Sequence, residues 1–191
     1  MKKLLVVMLL AVAMIVPAFA TDQSAMELDI KAGFNVMSEA DIVKIGTSAD
    51  LDPAFTATAD FFYYVMPQLA IGAGIEYIFY SKANKNYDAK VGFTNLYAQA
   101  KYVIETGNDI FNNVYPLVQI GYGILNFDAD WGDTDSNALY WGIGLGTTIK
   151  ENFVFELLYS ASTPSVKNSI NDPSDLEYST LQLKLGYKFS F

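Results

Sequence analysis

The sequence predicts an all-β protein, an eight-stranded antiparallel up-and-down transmembrane β-barrel preceded by a cleaved leader. Three observations predict it. After residue 20, apolar and polar residues alternate with a period of two, which puts them on opposite faces of strands. Eight such segments follow one another, each near the roughly 9–11 residues that a tilted strand needs to cross a bilayer. Glycine recurs at every second position on the polar face of three of them, as in Gly142, Gly144 and Gly146. A water-facing strand gains nothing from glycine, which weakens it.

The leader comes first. Lys2 and Lys3 precede an apolar run from Leu4 to Ile15, and Pro17 precedes Ala18-Phe19-Ala20. A basic start, a short apolar run and a small-x-small end define a secretory signal peptide, residues 1–20, leaving 21–191 as one barrel domain. The run is too short for a membrane-crossing helix of about 20 residues, and nothing later approaches that length. The chain has no cysteine, so it forms no disulfide and offers no N-terminal cysteine for lipid attachment.

The last strand shows the alternation most clearly. Leu181, Leu183, Leu185, Tyr187, Phe189 and Phe191 share one face, and Thr180, Gln182, Lys184, Gly186, Lys188 and Ser190 the other. In the first strand Met26, Leu28, Ile30, Ala32, Phe34 and Val36 alternate with Glu27, Asp29, Lys31, Gly33 and Asn35. Six more strands are expected near residues 54–64, 69–80, 93–104, 115–125, 139–149 and 153–161. The connections alternate in character. Long or charged loops are expected at Ser38–Pro53, Ser81–Gly92, Asn126–Asn137 and Ser162–Glu177, and tight turns at Val65–Gln68 and Lys150–Asn152. Glu105–Asn113 is longer than a tight turn. Long loops on one side and short turns on the other form the outer-membrane pattern, with the short side periplasmic.

A soluble β-sandwich also alternates, but two features favour a barrel in lipid. The lumen of eight strands has room for little more than side chains, and glycines on the third, fifth and sixth strands make space there for Tyr64, Tyr80, Tyr97 and Tyr140. The apolar face is aromatic near the strand ends, with Tyr63, Tyr102, Tyr187 and Phe189 at one rim and Tyr77, Phe79 and Trp141 at the other, as in interfacial girdles.

The signal peptide, the eight alternating segments and the terminal Leu185-Gly-Tyr187-Lys-Phe189-Ser-Phe191 resemble the small OmpA/OmpX-type outer-membrane barrels over the whole of residues 21–191. The resemblance implies insertion by the barrel-assembly machinery, with Tyr187, Phe189 and Phe191 as the assembly signal. It also implies an outer-membrane location among outer-membrane lipids and lipopolysaccharide. The periplasmic peptidoglycan-binding domain of the larger members is not expected here.

Charge narrows the function. Residues 21–191 hold ten lysines and 21 acidic residues, a net charge of −11, with no arginine or histidine. That excludes a basic nucleic-acid patch. The polar faces place Glu27, Asp29, Asp60, Glu76 and Glu156 in the lumen with Lys31, Lys101, Lys184 and Lys188, a balance of −1. A selective pore would carry rings of one sign. A near-balanced set predicts a mutually neutralised plug, because buried charges are costly unless paired. Strands one and eight meet on closure, so Glu27 and Asp29 are expected near Lys184 and Lys188.

Other chemistry finds little support. Without histidine, Ser-His and Asp-His catalysis and the usual imidazole metal sites are absent, so the chain reads as a non-enzyme without cofactor. Asp128, Asp130, Asp133 and Asp135 lie at short intervals, but an EF-hand needs glycine sixth and glutamate twelfth, where this stretch has Asp133 and Leu139. It reads as an acidic surface loop, with divalent ions bridging to lipopolysaccharide as a residual alternative. Gly142-Ile-Gly144-Leu-Gly146 has the period of a strand, not the turn and helix of a phosphate loop. The expectation is a surface and membrane-integrity protein that displays loops to an extracellular partner. The alternative is a narrow passive channel or carrier for small ions or apolar molecules.

Overall fold

In the computed structural model the described residues are 26–42, 47–82, 90–128, 134–167 and 173–191. They contain no helix. Ten strands follow in order: β1 Met26–Ile42, β2 Thr47–Asp50, β3 Phe55–Met66, β4 Leu69–Lys82, β5 Lys90–Tyr102, β6 Ile104–Glu105, β7 Phe111–Asp128, β8 Thr134–Ile149, β9 Phe153–Lys167 and β10 Pro173–Ser190. The eight long ones each pair antiparallel with their neighbours, and β10 pairs back onto β1. That last ladder closes the barrel. A backbone facing hydrocarbon has no water to bond, so closure is the condition for crossing a bilayer.

The stagger can be followed residue by residue. From Glu27 the ladder passes through Phe62, Gly72, Gln99, Gln119, Gly142, Ser160 and Thr180, and returns to β1 at Ser38. It returns eleven positions further on (38 − 27), one of them the bulged Val36 between Asn35 and Met37. A net stagger of ten over eight strands corresponds to a tilt of about 40° at ordinary strand spacing and rise.

The two faces divide as the alternation predicts. Ile120, Leu145 and Leu185 point outward and are more than half exposed, while Glu76, Gln182 and Lys184 point inward and are fully buried. The bulge lets Val36 and Met37 both face outward, and Ser38 returns to the lumen.

Three boundaries differ from the sequence reading. The strands at the long-loop end continue past the apolar segments, so Asn126 pairs with Asp135 and Ser165 with Asp175. Backbone hydrogen bonding persists there after the bilayer-matched pattern stops. The expected loop Ser38–Pro53 holds β2, whose register on β1 is that of β3 continued: Phe34 faces Phe55 and Glu39 faces Asp50. Pro53, which has no N–H to donate, sits in the interruption. Between Glu105 and Asn113, the two-residue β6 pairs with β7, and Asn108 Oδ1 accepts from the backbone N–H of Ile110 (2.8 Å) and Phe111 (3.1 Å). The connection is long because it is a built turn. The signal peptide, residues 129–133 of the acidic stretch, and residues 43–46 of the first loop lie outside the described residues, as does the side chain of Tyr80.

Candidate functional site

The inward faces of the strands assemble one enclosed column. At the end carrying the chain termini, Val103, Tyr115, Leu117, Val154 and Leu158 form an apolar cluster with Tyr64 against it. At the long-loop end Leu51, Ala54, Ile78, Phe93, Leu125 and Tyr178 form a second. There the Phe93 and Tyr178 rings stack at 4.4 Å. Leu51 and Ala54 reach this cluster because the interrupted strand is tied to β1, with Leu51 N–H donating to Ser38 O (3.0 Å) and Asn35 N–H to Ala54 O (2.9 Å).

The charges lie inside the column, in three groups. Lys101 pairs with Glu27 and lies over the Phe62 ring, 3.8 Å from its centroid. Tyr64 O–H donates to the same Glu27 (2.8 Å). Lys31 Nζ lies 2.5 Å from both Asp60 and Glu156, whose other oxygens accept from Tyr97 O–H and Tyr115 O–H, each at 2.9 Å. Lys184 pairs with Glu76, which also accepts from Asn95 Nδ2 (2.9 Å) and Gln182 Nε2 (3.3 Å). Buried ion pairs hold only when their remaining hydrogen-bonding capacity is also met, and here tyrosines and amides meet much of it.

Eight of the nine charged residues expected in the lumen are buried there: Glu27, Asp29, Lys31, Asp60, Glu76, Lys101, Glu156 and Lys184. Lys188 is half-buried. The partners differ from the expectation in part. Glu27 and Asp29 face Lys101 on β5, while Lys184 joins Glu76 on β4. Adjacency of β1 and β10 fixes backbone depth, but lysine is long enough to cross the lumen, and its ammonium goes to the carboxylate it can reach. Asp29 is opposite Lys188 in the β1–β10 ladder. Tyr187, Phe189 and Phe191 lie on the outer face, with Tyr187 edge-on to Phe153 at 5.6 Å.

Sequence reasoning missed Tyr115, which stands at the start of the strand expected near 115–125 but inside the longer β7. The signal was present: Tyr115 pairs with Gly146 across β7 and β8, and a methyl on Gly146 would overlap the Tyr115 ring. It also missed the relay from Tyr140 O–H to Gln119 Oε1 (2.7 Å) and from Gln119 Nε2 to Gln99 Oε1 (3.1 Å). Among the described residues no three carboxylates converge as metal ligands do.

A closed antiparallel barrel, greasy outside and charged within, is a transmembrane β-barrel. The chain matches the family described as outer membrane protein beta-barrel domain over residues 5–189, and it belongs to that family. The protein is therefore an outer-membrane protein. Solved barrels share the fold. The attachment invasion locus protein Ail of Yersinia pestis is 18% identical with a TM-score of 0.57, the match covering 86% of this chain and 99% of that one. Neisserial surface protein A is 16% identical with a TM-score of 0.57, covering 86% and 97%. The N-terminal barrel of Pseudomonas aeruginosa OprF is 16% identical with a TM-score of 0.50, covering 87% and 100%. Ail has also been solved with the heparin analogue sucrose octasulfate. No curated protein sequence matches the chain.

Proposed function

We propose that this outer-membrane barrel is a non-enzymatic surface and membrane-integrity protein whose lumen is plugged and whose loops meet the cell's surroundings. The observation that carries the reading is a lumen filled by mutually paired buried charges together with two buried apolar clusters. Buried ammoniums and carboxylates neutralise one another there, and packed apolar side chains fill the space around them. The narrow-channel reading has no such observation in its favour.

Residues 1–20 serve as the signal peptide, and Tyr187, Phe189 and Phe191 on the outer face of β10 are read by the barrel-assembly machinery. The end with the short turns is periplasmic. The four outer segments 38–53, 81–92, 126–137 and 162–177 together carry twelve acidic residues against five lysines, and no arginine. That charge disfavours a sulfated sugar such as the heparin analogue solved with Ail. It favours cationic extracellular partners and lipopolysaccharide bridged by divalent ions. The lack of histidine supports the absence of catalysis.

Planar-bilayer recording tests the plug. The folded protein is expected to insert without a long-lived open level. A large, stable conductance in the unmodified protein would overturn the reading.

A further inference from the structure

The charge column does not balance. Among the described residues Glu27, Asp29, Asp60, Glu76 and Glu156 are five buried carboxylates, and Lys31, Lys101 and Lys184 are three buried ammoniums. Counting the half-buried Lys188 still leaves one carboxylate over. The surplus falls on Asp29, which is 0% exposed and accepts no hydrogen bond at either oxygen. On its own strand Asp29 stands between Glu27 and Lys31. In the two ladders it is directly opposite Asp60 and Lys188. Lys101 and Glu156 also act on it, with Tyr64 and Tyr115 nearby. The donors around it are spent on other acids. Lys101 pairs with Glu27, and its Nζ is 3.7 Å from Asp29, beyond hydrogen-bond reach. Lys31 pairs with Asp60 and Glu156. The O–H groups of Tyr64 and Tyr115 go to Glu27 and Glu156.

We propose that Asp29 is a neutral carboxylic acid in the folded barrel, so that the plug carries one bound proton. An ionised carboxylate without a donor in so enclosed a place is far more costly than a neutral one. Like charges on directly opposed residues also destabilise a sheet, and Asp29 is opposite Asp60. Protonation removes both costs. It also turns an acceptor-only group into a donor among the carboxylates of Glu27, Asp60 and Glu156. The negative charges of the column then equal its lysines in number. A proton needs no cavity, and it is on the oxygen when the barrel folds, so nothing has to pass the filled lumen. The unfolded chain releases that proton above the ordinary aspartate range, about pH 4. Stability owed to this site is therefore greatest in acid and declines as pH rises, until Asp29 ionises in the barrel itself.

The test compares the full mature barrel with Asp29→Asn, which fixes the neutral form, by reversible urea unfolding in lipid vesicles. The ratio of the two unfolding constants isolates Asp29, because every other titrating group is shared. From about pH 5 to about pH 7 the unfolding constant of the unmodified protein is expected to rise against that of Asp29→Asn, by about tenfold for each pH unit. A flat ratio overturns the proposal, because Asp29 is then ionised in both states. Should Asp29→Asn not fold, infrared spectroscopy of the unmodified barrel at neutral pH reads the same group. The carbonyl stretch of a protonated carboxyl is expected, moved by carbon-13 labelling of aspartate and not of glutamate. Absence of that band, or a band that moves with labelled glutamate instead, overturns the proposal. Neither measurement depends on conductance, so this inference and the plugged-barrel reading fail separately.

Discussion

The two faces of the barrel wall are built from the same strands and obey different rules. On the outer face Phe55 is 73% exposed, and Ile120 and Leu145 more than 60%. Each touches mainly solvent lipid, which accepts any apolar shape. On the inner face the charges are held by particular partners: Lys31 holds Asp60 and Glu156 at once, and Glu76 holds Lys184, Asn95 and Gln182. The outer face is specified by hydropathy alone. The inner face is specified by partner, distance and volume. The same mutation class should therefore have unequal effects on the two faces.

The largest effect is expected where a buried charge loses its counterpart. Lys184→Ala strands Glu76 in the lumen and should cost about 3–5 kcal/mol in reversible urea unfolding. Joint replacement by Lys184→Met and Glu76→Leu should recover most of that loss, since no unpaired charge remains. On the other face, Ile120→Lys puts a charge against lipid tails near mid-strand and should cost about 2–4 kcal/mol, while Ile120→Leu should change stability by less than about 0.5 kcal/mol. A smaller effect tests inner volume. Gly146→Val drives side-chain carbons into the Tyr115 ring and should cost about 1–3 kcal/mol. Its outer neighbour substituted as Leu145→Ile should be close to neutral.

The smallest effect belongs to neither face. The turn from β8 to β9 holds Lys150 at φ 47° and Glu151 at φ 70°, a left-handed geometry that two-residue hairpins use and glycine or asparagine fits best. The turn is tied to its neighbour, with Glu151 N–H donating to Asn112 Oδ1 (2.9 Å) and Lys150 N–H to Ile110 O (3.0 Å). Glu151→Gly relieves the side-chain clash and should stabilise by up to about 1 kcal/mol.

This inequality also explains what was legible in the sequence. The outer face is a matter of hydropathy with a period of two, and so is the sorting of residues to the lumen. Leu181 to Phe191 and Met26 to Val36 could be assigned directly. Eight charged residues could be placed in the lumen for the same reason. Their partners could not, because Lys101 reaches Glu27 across sequence-distant strands by a path that depends on stagger. Strand ends were misjudged wherever backbone pairing outlasts the apolar pattern, as from Asn126 to Asp128. Tyr115 was missed because its role rests on one cross-strand glycine, visible only once Tyr115 and Gly146 are in register.

The division into two faces has a direct optical test. The chain has two tryptophans, Trp131 and Trp141. Trp141 lies on the outer face, its ring 5.8 Å from that of Tyr159. In the Trp131→Phe variant, reconstituted into vesicles, Trp141 is the only indole left. Lipids brominated along their acyl chains should quench its emission strongly, while acrylamide in the water should quench it little. Strong acrylamide quenching with no response to the brominated chains would contradict the assignment of that face to lipid.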